Sequence, residues 1–520
     1  MLKLDVIVIG GGLAGLASAT ALASDGHRVR LFEKSSGFPT TPGAIRVPPN
    51  AAKVLAHWGL HDQLSQKSAL LSEIPLCDMH TGDLIALTAW KPEMYRDSGG
   101  DFRVMAFDAL YTMLHDYAVS KGAEITFNSP VASVAPPPPS TDPAPTSDLG
   151  AGPSVTLATG EVLHADLIVG ADGIHSTVRE ALNEASPAQH AYSGRSVYTG
   201  ILEQHVVESD PGMKHLARAR QMLWFGNNCF GIGYPLPTQN AWGLHVDLPD
   251  PPGEDASAAR DWEYVAPSSV DCAQLEPRLQ YFFKHARTLA RGRYVDRAPA
   301  QSWVDPQRRM LLVGQAAHPS FWCAPYLTAD CLESACVLST LLAHLRVPAQ
   351  LPSILYAYEE IHAPRAARLH DTERSYRIYV TLSGAARAAR DADLRASITA
   401  TEAAEVARRR AEKREGSTYG SGSGSGSRGA RSVCSAEGGA SASAPPEEEE
   451  DDGGEDDEDE DEGLGELAQQ YAENAELWGY DARDAAEDWW VKWGMLRERT
   501  LFTPEELARF SCALQVRVDH

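Results

Sequence analysis

The chain has 520 residues, 43% of them hydrophobic, enough for one large or two to three ordinary domains with a real core. Its formal net charge is −25, and residues 447–462 alone hold 14 acids and no base, a balance that argues against nucleic acid as the main partner. The eight cysteines are scattered without a CxxC pair or metal-ligand spacing, so they read as thiols in a reducing compartment and not as a disulfide framework or metal site. The apolar stretch at 6–23 has no basic leader and is broken by four glycines. No run of about 18 apolar residues suggests a membrane span, so a soluble cytoplasmic protein is expected.

In chain order, residues 4–9 (LDVIVI) read as a buried parallel strand, 13–25 as an Ala- and Leu-rich helix, and Val29 to Glu33 as a second strand, together a βαβ unit. Helices are predicted over 51–66 and 105–120. Residues 135–150 (APPPPSTDPAPTSDLG) form a Pro-rich surface insertion, followed by a hairpin and a third buried strand at 166–170. Residues 184–305 alternate in short segments punctuated by Gly and Pro, such as MLWFGNNCFGIGYPL, and read as a mostly β inserted domain. A short strand at 309–314 precedes a long helix expected to begin near Cys331. Residues 352–413 read as helical, 416–463 as a disordered Gly/Ser-rich and acidic insertion, and 464–497 as helical again. Trp478, Trp489, Trp490 and Trp493 are expected to dock that last segment on the first domain.

The chemistry starts at Gly10-x-Gly12-x-x-Gly15, which follows a strand and opens a helix. Gly10 permits the tight turn, Gly12 lets the backbone approach a diphosphate, and Gly15 lets the helix pack close to the sheet. Glu33 ends the second strand, where a carboxylate can accept from a ribose hydroxyl, with Lys34 beside it. The fingerprint alone does not separate NAD from FAD; its place at the N-terminus favours FAD. Two later strands end in ADGIHSTVR, with Asp172 and Gly173, and in Gly314-Gln315-Ala-Ala-His318-Pro319.

These stretches resemble the group A flavoprotein (FAD-dependent) aromatic monooxygenases, in particular the salicylate hydroxylase-like branch. The similarity includes GAIRVPPNAAKVLAHWGL (43–60), GRSVYTGIL (194–202), FGIGYPL (230–236), HAPRAARLH (362–370) and ELWGYDA (476–482). The resemblance implies an α/β fold: a Rossmann-like FAD-binding domain (1–183 and 306–400), an inserted β-sheet substrate domain (184–305), the insertion at 416–463 and a C-terminal helical segment (464–520). It implies FAD as cofactor, NAD(P)H as co-substrate and a small aromatic or phenolic substrate, hydroxylated with O2 through a flavin C4a-hydroperoxide. The expected FAD contacts are Gly10, Gly12, Gly15, Glu33, Lys34, Ala44, Arg46, Asp172, Gly173, Gly314 and Gln315, and the expected catalytic residues are Tyr234 and His318. For these last two, core packing and a structural histidine are the competing readings.

The sequence also departs from the family's pattern. Gln315 stands where the family has an Asp that binds the ribityl chain, and Pro-Tyr-Leu-Thr-Ala-Asp (325–330) stands where it has a Gly-Gln-Gly type loop. The Arg that opens the helix near 106 is missing, Pro42-Gly43-Ala44 replaces Gly-Ala-Gly, Arg46 replaces a common Gln, and Tyr198-Thr199-Gly200 replaces Tyr-Arg-Gly. Two readings stay open on the sequence. One is a working monooxygenase with an unusual ring pocket, and the other a degenerate copy acting as a binding or scaffold protein.

Overall fold

A computed structural model describes residues 1–38, 42–90, 92–137, 151–182, 190–214, 221–251, 253, 262–320, 324–396 and 475–496. The chain divides into two units, Met1–Ala389 with Asn474–His520, and Arg390–Glu473. In the second, the described residues 390–396 are helical, with Arg390 paired to Asp391. The acidic insertion and the tail beyond 496 lie outside the described residues.

The first unit opens with the expected βαβ. Strands β1 (Asp5–Ile9) and β2 (Arg28–Phe32) pair in parallel, joined by α1 (Leu13–Ser24). Every residue of α1 from Leu13 to Ala23 is buried, as a helix apolar nearly all round requires, and its two buried hydroxyls, Ser18 and Thr20, donate to Ala14 O and Leu114 O. The sheet is completed by β8 (Glu124–Thr126), β12 (Leu167–Gly170) and β19 (Met310–Leu312), in the order β19-β12-β1-β2-β8, all parallel.

A second, eight-stranded sheet stands against this frame. Its order is β17 (Trp262–Val265), β18 (Leu289–Arg297), β13 (His190–Glu203), β16 (Ala241–Pro249), β15 (Phe230–Leu236), β14 (Met222–Phe225), β5 (Glu73–Asp78) and β6 (Leu84–Ala89). All pairs are antiparallel except β14 with β5. The sheet is therefore not confined to 184–305: residues 73–89 cross into it, a correction to the expected boundary at 183. No local pattern at 73–89 announces this, because sheet membership is decided by long-range pairing.

Alternation gives the sheet two uses. Ile232, Tyr234 and Leu236 join the core around the parallel sheet. Trp242, Leu244 and Val246 face a second core with Leu279, Phe282 and Phe283 of a helix, Pro277–His285. Two small sheets complete the set: β3 (Ala44–Val47), β7 (Arg103–Ala106) and β4 (Ala69–Leu70); and β9 (Val131–Ala135), β10 (Ser154–Leu157) and β11 (Val162–His164), of which β10 and β11 form the expected hairpin.

Some boundaries differ from expectation for local reasons. The helix over 51–66 is two helices, α2 (Pro49–His57) and α3 (His61–Lys67). Gly59 at φ +79° ends the first in a Schellman turn, Leu60 N–H reaching Leu55 O at 2.8 Å. In 105–120 the first residues belong to β7, and helix Phe107–Ser120 follows. The long helix Leu327–Leu342 starts four residues before Cys331, because its polar first turn is held by tertiary partners. It packs on helix Leu351–Val380, and helix Ala482–Trp489 packs on both.

The last segment docks as expected in three of its four tryptophans. Trp478 is buried against Trp90 and Phe102, with ring centroids 4.7 and 5.7 Å away. Trp489 donates to Glu360 at 3.1 Å, and Trp490 stacks on His344 at 4.4 Å. Trp493 is the correction: it is 55% exposed. Below this segment lies a buried ion pair. Arg365 donates to both oxygens of Glu333 (2.9 and 3.0 Å) and to Leu477 O (2.8 Å), and Asn50 donates to the same carboxylate at 2.6 Å.

Candidate functional site

The C-terminal ends of β1, β12 and β19 converge on one crevice, where ligands of open parallel sheets bind. Gly10 has φ +101°, and a Cβ there would lie 2.5 Å from Ala171 O. A Cβ at Gly15 would lie 1.9 Å from Gly10 O, so the helix approaches as closely as glycine allows. Gly12 differs: its φ of −70° suits any residue, and a Cβ there would meet nothing within 4 Å. The open space beside Gly12, facing the first turn of α1, is the cradle a diphosphate would fill.

Glu33 lies at this turn. It accepts the Gly11 N–H at 2.6 Å and the Ser35 N–H at 2.8 Å, while Lys34 is exposed. Asp172 accepts the Thr177 N–H at 2.7 Å and the Val178 N–H at 3.3 Å, and takes the Ser176 hydroxyl as donor. It thereby caps the short helix Thr177–Leu182, and burial raises its carboxyl above the usual range. Gly173 follows at φ +77° with open space at its Cβ position. Gly314, at φ +55°, brings the β19 loop against Ala14, and Gln315 turns its amide back onto Ser320 O at 3.2 Å.

A second feature, enclosed, lies at β3 and the eight-stranded sheet. A cavity of about 10 Å³ is lined by Ala44, Ile45, Arg46, Phe107, Tyr234, His245, Ala324 and Leu327, enough for a single water. Tyr234 is 1% exposed, and its hydroxyl has no hydrogen-bond partner among the described residues. The His245 ring sits 5.1 Å from the Tyr234 ring, and its Nε2 donates to Ala44 O at 3.1 Å. Burial, with Arg46 nearby, pushes His245 down to about 3, so it is neutral. Thr199 pairs with His245 across β13 and β16 and donates to Pro42 O at 2.6 Å. The sheet thus grips the Pro42–Ala44 turn from below. A larger cleft of about 800 Å³, beside Trp90 and Tyr95, shares no residue with this cavity.

Behind the cavity, the start of helix Leu327–Leu342 is pinned by buried charges. Glu373 accepts the Tyr326 N–H at 2.6 Å, and Trp478 donates to the Tyr326 hydroxyl at 3.3 Å. Asp330 accepts from His362 Nε2 at 3.0 Å and lies 3.8 Å from His370, whose other ring nitrogen is 3.6 Å from Glu373. His318 stacks on His370, ring centroids 4.0 Å apart and planes 4° apart. Burial would depress His370, but Asp330 and Glu373 outweigh it and raise it to about 9. Burial and then the His370 charge push His318 down to about 4. Burial would raise Asp330; the two histidines overcome it and hold the carboxyl well below the usual range.

A pH effect follows from this cluster. The folded value of His370, about 9, lies above its ordinary 6.5, so its contribution is complete below pH 6.5 and is lost as pH rises through 9. The unfolding midpoint of the wild type is expected to fall between pH 6.5 and 9, and His370→Gln to flatten that slope. Thermal melts across the range measure it; an unchanged slope in the variant contradicts the assignment.

Of the residues singled out in the sequence, Gly10, Gly12, Gly15, Glu33, Asp172, Gly173 and Gly314 gather around the crevice. Ala44, Arg46 and Tyr234 line the small enclosed cavity. His318 does not line the cavity; it stacks on His370 of helix Leu351–Val380. Sequence reading missed His245, Glu373, and the Asp330–His370 pair. His245 had a faint signal: in AWGLHVDL it falls on the strand face opposite Trp242, Leu244 and Val246. Among the described residues no group of three or more His, Cys, Asp or Glu could hold a metal ion, and no helix is long and apolar enough to cross a membrane.

The FAD binding domain family matches residues 3–321, more than half of the chain. The chain belongs to this family. This flavoprotein is 26% identical to the FAD-dependent monooxygenase OpS4 of Beauveria bassiana over 374 residues, 70% of its own length and 83% of the relative's. It is also 26% identical to the 3-hydroxybenzoate 6-hydroxylase of Klebsiella oxytoca, covering 72% and 88% of the two chains. In fold it is similar to a salicylate hydroxylase in complex with substrate, with a TM-score of 0.60 at 18% identity over 76% of this chain and 93% of that one. HpxO of Klebsiella pneumoniae, solved with FAD and uric acid, gives 0.61 at 21% identity over 75% and 92%. The flavoprotein is an FAD-dependent monooxygenase of the aromatic hydroxylase type.

Proposed function

We propose that this flavoprotein hydroxylates a small aromatic ring, most simply a phenol, consuming NAD(P)H and O2. One oxygen atom enters the ring and the other leaves as water, with NAD(P)H supplying two electrons. The observation that carries the reading is the presence in one fold of an open diphosphate cradle beside Gly12 and a small enclosed cavity holding a buried Tyr234 hydroxyl without a partner among the described residues. FAD, when bound, supplies the redox chemistry with oxygen. Gly12 and the first turn of α1 would hold its diphosphate, Glu33 the adjoining ribose, and Gly314 and Gln315 the chain toward the ring. Exchanging a charged for a neutral contact at Gln315 weakens the ribityl hold, by about 1.5–3 kcal/mol for a charged hydrogen bond.

The other residues position and exclude water. Phe107, Leu327 and Ile45 close an apolar wall, and admitting an aromatic ring requires these side chains to open. Tyr234 offers a hydroxyl to the substrate's oxygen, and neutral His245 holds the Ala44 turn without adding charge. NAD(P)H would come and go as a co-substrate. A cytoplasmic location suits that supply. The degenerate-copy alternative has less support, because the cradle at Gly12 is open and the monooxygenase relatives cover most of this chain. The test is aerobic incubation of the FAD-loaded protein with NADH or NADPH and a panel of phenols and hydroxybenzoates. The expected result is ring-stimulated NAD(P)H oxidation with hydroxylated product; oxidation unaffected by every aromatic counts against the reading.

A further inference from the structure

We propose that the cleft beside Trp90 and Tyr95 is a second small-molecule site, for a neutral, flat, largely apolar ligand of about two fused rings, and that its occupant braces the Tyr326 turn and so holds the enclosed cavity shut. The cleft shares no residue with the diphosphate cradle or with that cavity, and its existence does not depend on the hydroxylase reading.

One stretch of chain, residues 52–103, builds the cleft from α2, α3, the helix Pro92–Ser98 and the ends of β4, β5 and β7. Its volume of about 800 Å³ is that of a small-molecule pocket, whereas the enclosed cavity holds a single water. Leu64 and Tyr95 in its walls are buried and Trp90 is half-buried. The polar groups of the walls already answer one another. Arg103 donates to Asp101 at 2.7 and 3.0 Å and to the Ser68 hydroxyl at 3.3 Å, and the Tyr95 hydroxyl donates to Leu71 O at 2.5 Å. At the mouth, Arg96 and Glu73 are exposed and opposite in sign. A charged ligand would leave water for walls whose charges are matched, which is penalised; a neutral one is not.

Trp90 gives these walls a specific feature. Its indole N–H is buried and has no partner among the described residues, a state that costs free energy until an acceptor reaches it. Its ring offers a flat ligand the contact in which aromatic pairs gain beyond their buried area. A fused ring bearing a carbonyl answers both: the ring lies against Trp90, and the oxygen accepts from Nε1 as the half-buried indole turns toward it.

Trp90 is also the link to the enclosed cavity. Its ring centroid lies 4.7 Å from that of Trp478, which does not line the cleft. Trp478 is buried and donates to the Tyr326 hydroxyl at 3.3 Å. Tyr326 stands at the start of helix Leu327–Leu342, between Ala324 and Leu327 of the cavity wall. Trp90, Trp478 and Tyr326 thus form a packed row, and the cleft is the empty volume at its outer end. Opening the cavity moves its wall, and a packed row transmits that movement outward. An occupant of the cleft removes the space into which Trp90 gives way. On the hydroxylase reading, it is therefore an inhibitor that binds outside the ring's own place.

The test uses the FAD-loaded full chain and Prodan, a neutral naphthalene that carries a ketone, with binding measured by equilibrium dialysis. The wild type is expected to bind one Prodan per chain with a Kd on the order of 100 μM or tighter. Ala56 lines the cleft on the exposed side of α2, so Ala56→Trp should fill the space and weaken Prodan by about tenfold or more with the fold unchanged. Trp90→Phe keeps a ring but loses the N–H, and should weaken it by about three- to tenfold. The anion 1-anilinonaphthalene-8-sulfonate should displace Prodan only at concentrations about tenfold higher. Amide hydrogen exchange then reads the Tyr326 turn. Prodan should slow exchange across residues 324–330 by about threefold or more in the wild type, and not in Trp478→Phe, which still binds it. No binding, undiminished binding by Ala56→Trp, or preference for the anion would overturn the site; unchanged exchange in the wild type would overturn the bracing. A gain of about tenfold in Prodan affinity on removal of residues 497–520 would assign the cleft to the chain's own tail instead. In turnover, Prodan should slow phenol-stimulated NAD(P)H oxidation to a plateau above zero, and not in Ala56→Trp; inhibition that phenol fully overcomes would place Prodan in the ring's own site and overturn the proposal. A protein that oxidises NAD(P)H with no aromatic fails the hydroxylase reading, while dialysis and exchange still decide the cleft.

Discussion

Gly12→Ala is expected to give a folded but colourless protein, and Gly15→Ala a destabilised one. The two glycines lie three residues apart in one motif yet answer to different forces. At Gly12 the backbone conformation is open to alanine and a Cβ meets nothing within 4 Å, so the apoprotein loses at most about 1 kcal/mol from a poorer helix cap. The methyl group instead occupies the space the diphosphate needs. FAD affinity is expected to drop by about a hundredfold or more, roughly 2.7 kcal/mol. At Gly15 the Cβ would sit 1.9 Å from Gly10 O with Ala171 Cβ 3.3 Å away. Neither is the free end of a flexible side chain, so α1 must move off the sheet, at about 3 kcal/mol or more. Melting of the apoproteins, followed by FAD titration, separates the two. An apo Gly12→Ala protein that melts far below wild type, or that binds FAD normally, contradicts the assignment.

Arg365→Met is expected to be the most destabilising single change away from the crevice, at about 3–5 kcal/mol. Its guanidinium satisfies both oxygens of Glu333, which is fully buried, and the carbonyl of Leu477. It also lies over the Tyr480 ring at 4.1 Å. Removing it strands a buried carboxylate and frees the segment that carries Trp478. Adding Glu333→Gln removes the stranded charge and keeps an acceptor for Asn50, so the double variant should recover about 1–2 kcal/mol. Chemical unfolding of the three variants measures this. Additive losses would show that the pair does not act as a unit.

The nucleotide half of the site could be read from residues because its determinants are local. A strand, a glycine turn and a helix lie within thirty residues, and Gly10 and Gly15 make the close backbone contacts their positions imply while Gly12 borders open space. The ring half could not. Tyr234, His245 and Thr199 come together only through the pairing of β13, β15 and β16, and Arg46 reaches them from a separate small sheet. The early start of helix Leu327–Leu342 was hidden for the same reason. Asp330 looks like a loop residue until His362 and His370, some 32 and 40 positions on, pair with it. The domain boundary failed at 73–89 because strands there join a sheet whose other members begin more than a hundred residues later.

The measurement that bears most directly on the central claim is the fate of labelled oxygen. The FAD-loaded protein, given NAD(P)H and an aromatic acid that it binds, is incubated under ¹⁸O2 and the product is weighed by mass spectrometry. One ¹⁸O atom in a newly hydroxylated ring, formed with consumption of one NAD(P)H, is the result the account predicts. Hydrogen peroxide as the sole reduced oxygen product, with every aromatic recovered unlabelled and unchanged, would contradict it.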